Sequence, residues 1–207
     1  MLFYRYRPNK ETRTDRKITM VKKFAHQIGF DDAPFTKEHR GDVLLVATVY
    51  CRHRIEAVLS GKIRRDGRNA SDAICRIVTG SRFYSHSQLI LLQGIAFAGF
   101  NVVDIQQVLD ETGLPVLVVC RKNPNMEKIR QALIQHVPGG ARKWKIIERT
   151  GPMQPAGNVF VQRAGISLED SRKVLKESCI NSDLPDPLRT AHLIAGGIIS
   201  GESKHRA

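Results

Sequence analysis

Three strand-like segments follow one another between Phe24 and Arg64 before any helix-like stretch, and strand and helix alternate from there onward. This order restricts the fold more than any other feature. Consecutive strands pair as neighbours, whereas strands separated by helices need crossovers, so the expected architecture is a mixed α/β sheet in one domain. Phe24 to Phe30 reads as the first strand, ending in Asp31-Asp32, and Val43 to Cys51 and Arg54 to Arg64 read as the second and third. A helix is expected from Asn69 to Val78, with Asn69 or Ser71 available as its cap. Gln88 to Leu92 is a short apolar strand that stops at Gln93-Gly94 and runs into a glycine-rich turn. Val102 to Thr112 reads as a helix closed by Gly113, and Pro115 to Cys120 as a strand ending at Arg121-Lys122. Glu127 to His136 is helical, Trp144 to Glu148 and Asn158 to Gln162 read as short strands, and helices cover Ser167 to Ser178 and Pro187 to Ile199. Neither an internal repeat nor a long linker interrupts the pattern.

Charge narrows the choice of partner. The 207 residues carry a formal net charge of +13, unevenly spread. The first 23 residues hold eight Lys or Arg against Glu11 and Asp15 and have no clear periodicity, so they read as a basic arm ahead of a 24–207 domain. Such an arm either tracks phosphates or merely aids solubility. At 42% hydrophobic and 26% charged, the composition excludes global disorder. No apolar run approaches the ~20 residues needed to span a bilayer, and charges interrupt any signal-peptide core in the first 23. A polyanionic partner is expected, nucleic acid before membrane. Cys51, Cys75, Cys120 and Cys179 match no zinc or CxxC pattern, which implies free thiols, a reducing compartment and a cytoplasmic location.

Familiar phosphate and hydrolase signatures are absent: the sequence has no GxGxxG after a strand, no GxxxxGK[ST] and no GxSxG. The Gly94–Gly99 turn has the wrong spacing for a nucleotide loop, and either packs tightly or brings backbone close to a phosphate. Carboxylates at strand ends are more informative. Asp31 closes a strand read as central, where a carboxylate is costly unless it binds a cation or partner. Asp32 would point to the opposite face, so that one of the pair can face a site while the other faces out. Asp72, in a first helical turn, complements the helix dipole whatever else it does. His192 lies on a mostly apolar helix, where a histidine is either structural or part of a site.

These motifs also have a recognisable order. Ile28-Gly29-Phe30-Asp31-Asp32-Ala33-Pro34-Phe35, the Gly94–Asp104 segment, Gln162–Glu169 and Gly201-Glu202-Ser203 resemble the archaeal endonuclease dU family. That family is similar to endonuclease V, and the resemblance implies a ribonuclease H-like mixed sheet flanked by helices. It also implies a Mg²⁺- or Mn²⁺-dependent DNA endonuclease cutting near a deaminated base, deoxyuridine first. Gly29-Phe30-Asp31 resembles the first-strand metal ligand of endonuclease V, and Asp72 falls where its helical glutamate ligand stands. Gln93 stands where that enzyme has an aspartate, and contributes weakly or through water. Arg121 falls at a lysine near the scissile phosphate, and Leu184–His192 resembles a segment that brings a histidine to the metal. Lys62, Arg64 and Arg65 replace a Pro-Tyr wedge and, with Arg121 and Lys122, are the expected nucleic-acid contacts. Gly94 and Gly99 are the expected wall of a base pocket. Inosine in DNA or RNA is the alternative target, and Gln93 favours a rival reading as a non-catalytic nucleic-acid-binding protein. A general RNA-binding protein is a weaker third, with only 6% aromatics to stack bases.

Overall fold

The computed structural model describes residues 23–203, so the basic arm, apart from Lys23, lies outside the described residues. The three opening strands are β1 (His26–Asp32), β2 (Asp42–Cys51) and β3 (Arg54–Arg64), and they form an antiparallel meander. Helix α1 (Ala70–Thr79) then leads to β4 (Leu89–Gln93), which lies parallel to β1. A small hairpin, β5 (Ala96–Phe97) and β6 (Asn101–Val102), precedes α2 (Ile105–Thr112) and β7 (Val116–Cys120), which is parallel to β4. Next come α3 (Met126–His136), α4 (Gly140–Thr150), β8 (Gln154–Ala156), β9 (Val159–Ala164), α5 (Leu168–Ser178) and α6 (Asp186–Ser200). The main sheet has seven strands in the order β3-β2-β1-β4-β7-β9-β8. The expected mixed α/β sheet flanked by helices is the fold observed.

Strand alternation sorts the side chains onto two faces. Ile28, Phe30, Ile90, Leu92, Val116 and Val118 are buried in one cluster with Ala73, Ile74 and Val78 of α1 and Val108 of α2. Leu89, Leu91, Leu117 and Val119 are buried in another with Val174 and Leu175 of α5 and Leu188 of α6. Gly29, Asp31 and Gln93 therefore share the α6 side, because they alternate with residues that face α1. Small residues let α6 come close. A Cβ on Gly29 would sit 2.6 Å from the Pro187 carbonyl carbon, and Ala191 and Ala195 are fully buried. Thr48 of β2 fixes the same turn by donating its hydroxyl to the Pro187 carbonyl at 2.7 Å.

Local signals place several boundaries as expected. Ser167 accepts the Asp170 N–H to cap α5, and Gly113 ends α2 in the left-handed region at φ +67°. Three expectations need correction. Trp144 to Glu148 is not a strand but the middle of α4, whose buried Gly140, Lys143 and Ile147 recur at helical spacing; Ile147 packs with Leu133 of α3 and Val102 of β6. Val102 belongs to β6, and α2 begins only at Ile105, capped by the Asp104 carboxylate on the Gln107 N–H. Neither Asn69 nor Ser71 caps α1 with its own side chain. The Asn101 amide oxygen accepts the Ala70 N–H at 3.1 Å instead, while the Asn101 amide nitrogen donates to Arg64 O and Asn69 Oδ1.

Candidate functional site

The parallel strands β1, β4 and β7 end side by side, and the polar groups at their carboxyl ends form the candidate site. On β1, Asp31 is 5% exposed and its Oδ2 lies 2.7 Å from Nδ1 of His192, on the second turn of α6. The contact joins residues 161 apart in sequence. It exists because Gly29 and the alanines of α6 allow the helix to lie against β1. Burial pushes the Asp31 carboxyl above the usual carboxylate range, and the His192 contact opposes that rise without cancelling it.

Asp32 points to the opposite face from Asp31, as alternation predicts, but neither of the pair faces out to solvent. It is half-buried on the α1 side, where Oδ2 accepts the Ala98 N–H at 2.9 Å. Burial, reinforced by the neighbouring charge of Asp31, pushes its carboxyl up to about 7, with the Ala98 N–H pulling the other way. Two adjacent carboxylates thus sit in a poorly solvated place with no lysine or arginine paired to either among the described residues. Gln93, at the end of β4, adds an amide oxygen that is buried and has no hydrogen-bond partner. An unsatisfied buried acceptor costs roughly 1–3 kcal/mol unless something supplies the missing positive charge.

Asp72 does not converge with Asp31. It is exposed on α1, on the other face of the sheet, and its Oδ1 accepts from Gln107 Nε2 of α2 at 2.8 Å. Its first-turn position is as expected, but strand order carries α1 to the wrong side for a ligand shared with Asp31. Among the described residues no cluster of three or more His, Cys, Asp or Glu forms that could hold a metal ion. On the α6 side the oxygen donors at this sheet end are Asp31 and the Gln93 amide oxygen, the atom type Mg²⁺ or Mn²⁺ prefers, while Asp32 adds negative charge from the opposite face of β1.

The cations divide. Arg121 is half-buried and directly follows β7, whose Val119 is the partner of Gln93, so it stands at the same sheet end; Lys122 beside it is exposed. Lys62 and Arg64 are exposed on β3, and Arg64 reaches Asp42 at 3.3 Å. Arg65 is committed to structure rather than to a ligand. Its guanidinium bonds Asp66 and the carbonyls of Lys37 and His39, and stacks 5.4 Å from the Phe35 ring.

The glycine turn is a clamped hairpin and not an open pocket wall at Gly99. A Cβ there would meet Asp66 Oδ1 at 2.5 Å, and the same oxygen accepts the Phe100 N–H at 2.8 Å. Asp66 also donates its N–H to Ala98 O, while Ala98 N reaches Asp32, so the turn is held between two acids. Gly94 adopts φ +83°, and a methyl group placed on it would meet nothing within 4 Å, which leaves its flank open. Sequence reasoning passed over Asp66 and Asn101, although Asp66-Gly67 is a turn dipeptide that signals a constrained corner.

A mixed sheet in this order, with an acidic end to its central β1 strand and helices on both faces, defines a ribonuclease H-like domain of the endonuclease V type. An endonuclease V from Ciona intestinalis, solved with a 23mer DNA containing an inosine followed by a ribo-adenosine, shares this fold at a TM-score of 0.52 and 15% identity, over 83% of each chain. Residues 23–199 match the endonuclease dU family, and the chain belongs to that family. A UPF0215 protein of Deinococcus radiodurans is 52% identical over 181 residues, spanning 87% of this chain and 92% of that one. A solved Archaeoglobus fulgidus protein of unknown function is 35% identical with a TM-score of 0.79, covering 85% of this chain and 99% of that one. No helix among the described residues is long and apolar enough to cross a membrane.

Proposed function

We propose that the protein is a divalent-cation-dependent endonuclease that cuts DNA near a deaminated base, deoxyuridine first, and that Asp31 and Gln93 hold the cation with the charge of Asp32 beside them. The observation that carries the cation site is a buried carboxylate, Asp31, on the same face and sheet end as an orphaned buried amide oxygen, with a second poorly solvated carboxylate next to it in the chain. Membership of the endonuclease dU family supports the nuclease activity and the choice of base. Mg²⁺ or Mn²⁺ bound there would lower the pKa of a water and offset charge on the phosphate.

The protein's own residues contribute the rest. The hydrogen bond between His192 Nδ1 and Asp31 Oδ2 keeps the carboxylate and the ring oriented toward each other. Arg121 and Lys122 stand where they can hold the phosphate beside the cut. A groove of about 570 Å³ opens just beyond Asp32, with Pro34, Phe35, Leu44 and Ile199 as apolar walls and Thr36, His39, Asp42 and Ser200 as polar ones, and offers a slot for a flipped base in place of the Gly99 wall. A mispaired uracil costs less to extrude than a normal base, which favours damaged sites.

The test is nicking of a uracil-containing duplex with Mg²⁺. The Asp31→Asn/Asp32→Asn double variant is expected to lose cleavage, and Asp72→Asn to retain it within about twofold. Wild-type rates in the double variant would sink the assignment. A parallel hypoxanthine substrate decides between uracil and inosine. The non-catalytic reading is favoured by Gln93 standing in place of an acid, and it predicts salt-sensitive binding with no cleavage in either metal.

A further inference from the structure

The turn joining β3 to α1 and one face of α4 enclose a cleft of about 830 Å³ on the α1 side of the sheet, away from Asp31. Its charged lining is Arg64, Arg68, Arg142, Lys143, Lys145 and Arg149, against the single acid Asp104. Asp104 is already engaged, capping α2 and pairing with Arg149. Lys143 is buried, and its ammonium donates to the Asp66 carbonyl at 2.5 Å, so it belongs to the wall. Arg68, Arg142 and Lys145 are exposed and make no side-chain hydrogen bond or ion pair among the described residues.

Spacing distinguishes this cleft from a pocket for one small anion. Arg142, Lys145 and Arg149 recur at i, i+3 and i+7, which is one face of a helix, and at 1.5 Å per residue the row is about 10 Å long. One DNA strand presents a phosphate about every 3.4 Å along the duplex axis, so a row of that length spans roughly three. No aromatic side chain lines the cleft, leaving nothing on which a base could stack. Backbone recognition without base readout is what such a lining can do.

We propose that this cleft binds the phosphate backbone of nucleic acid as a second contact surface, separate from the carboxylate site. The inference rests on the reading above that the substrate is nucleic acid. The two surfaces share one connecting element. Lys143 holds Asp66, Asp66 holds Phe100 and Ala98, and Ala98 donates to Asp32. Backbone seated in the cleft therefore braces the hairpin that supports the carboxylates.

Binding to an unmodified 25-base-pair duplex, measured by fluorescence anisotropy across a salt series, tests it without requiring cleavage. In the full chain, the triple variant Arg68→Ser, Arg142→Ser and Lys145→Ser is expected to flatten the slope of log K against log salt by about 2 to 3, at roughly 0.9 per phosphate contact. The comparison triple is Arg172→Ser, Lys173→Ser and Lys176→Ser, on α5 across the sheet; it removes the same charge and is expected to leave the slope unchanged. An unchanged slope in the cleft triple, or an equal loss in the α5 triple, overturns the proposal. Urea unfolding of both triples checks that the fold is intact. A flattened slope in the cleft triple alone upholds the cleft whatever its cleavage rate; absent cleavage by wild type with the cleft effect intact would sink the nuclease reading alone.

Discussion

A single methyl group at Gly29 tests whether β1 and α6 are two halves of one site. The Cβ of Gly29→Ala would lie 2.6 Å from the Pro187 carbonyl carbon, 2.7 Å from Pro187 Cβ and 2.8 Å from Leu188 N, where ordinary contact begins at 3.4 Å. Two of these three atoms are backbone, and Thr48 pins the same turn from β2, so no flexible side chain can simply swing away. The first turn of α6 must retreat by about 0.8 Å, the difference between 3.4 and 2.6 Å. His192 lies five residues farther along the same helix, so the 2.7 Å Asp31–His192 contact stretches toward 3.5 Å and ceases to be a hydrogen bond. Overpacking of this kind costs about 1–3 kcal/mol, and the lost bond about 1 kcal/mol more. Removing a glycine from the unfolded chain returns about 0.4–1 kcal/mol, leaving a net loss near 2 kcal/mol. Urea unfolding followed by circular dichroism measures the stability, and the proton resonances of the His192 ring report its titration. Cleavage is expected to fall by one to two orders of magnitude, since misplacement near 1 Å has that effect. Gly61→Ala is the matched comparison: its Cβ meets the Ile77 Cδ1 tip at 2.8 Å, which can rotate, so less than about 1 kcal/mol is expected. Stability within about 0.5 kcal/mol of wild type for Gly29→Ala, with an unaltered His192 titration, would refute the close-packing argument.

Two further outcomes follow from the same geometry. Asn101 is fully buried and makes three hydrogen bonds that tie the start of α1 to the end of β3; Arg64 O keeps the Gly67 N–H, so Asn101→Ala leaves Ala70 N unpaired and is expected to cost about 1–3 kcal/mol, and a loss below about 0.5 kcal/mol by chemical denaturation would contradict it. Burial raises the thiols of Cys75, Cys120 and Cys179 to about 12, 11 and 12 from 9.0, so the fold keeps protons that the unfolded chain releases. Stability from these groups is unaffected below pH 9 and falls as pH climbs from there toward 11–12. The urea midpoint should therefore drop between about pH 9 and 11, and drop less in a variant with all three changed to alanine.

Much of the secondary structure was legible because its causes are local. β-branched runs mark β2 and β7, Ser167 caps α5 beside its own helix, and Gly113 stops α2 by adopting a conformation that other residues resist. The stretch around Trp144 shows the limit. Five residues of mixed apolar character fit a short strand as well as a helical turn, and the burial of Gly140, Lys143 and Ile147 that settles it comes from α3 and β6. Capping of α1 failed for a similar reason, since its partner, Asn101, is 31 residues away.

The candidate site divides along the same line. From the sequence alone came a carboxylate pair at the end of a central strand, a histidine on an apolar helix, an amide at the end of the next strand and a surplus of positive charge. Those are properties of residue type and neighbourhood. Which of them meet was decided by the tertiary structure, because strand order and crossover side determine the face on which each element lands. That is why Asp31 meets His192 across 161 residues, while Asp72 lies on the far side of the sheet, bonded to Gln107. It is also why cations from a turn and from a helix that reads locally as a strand come together in one cleft.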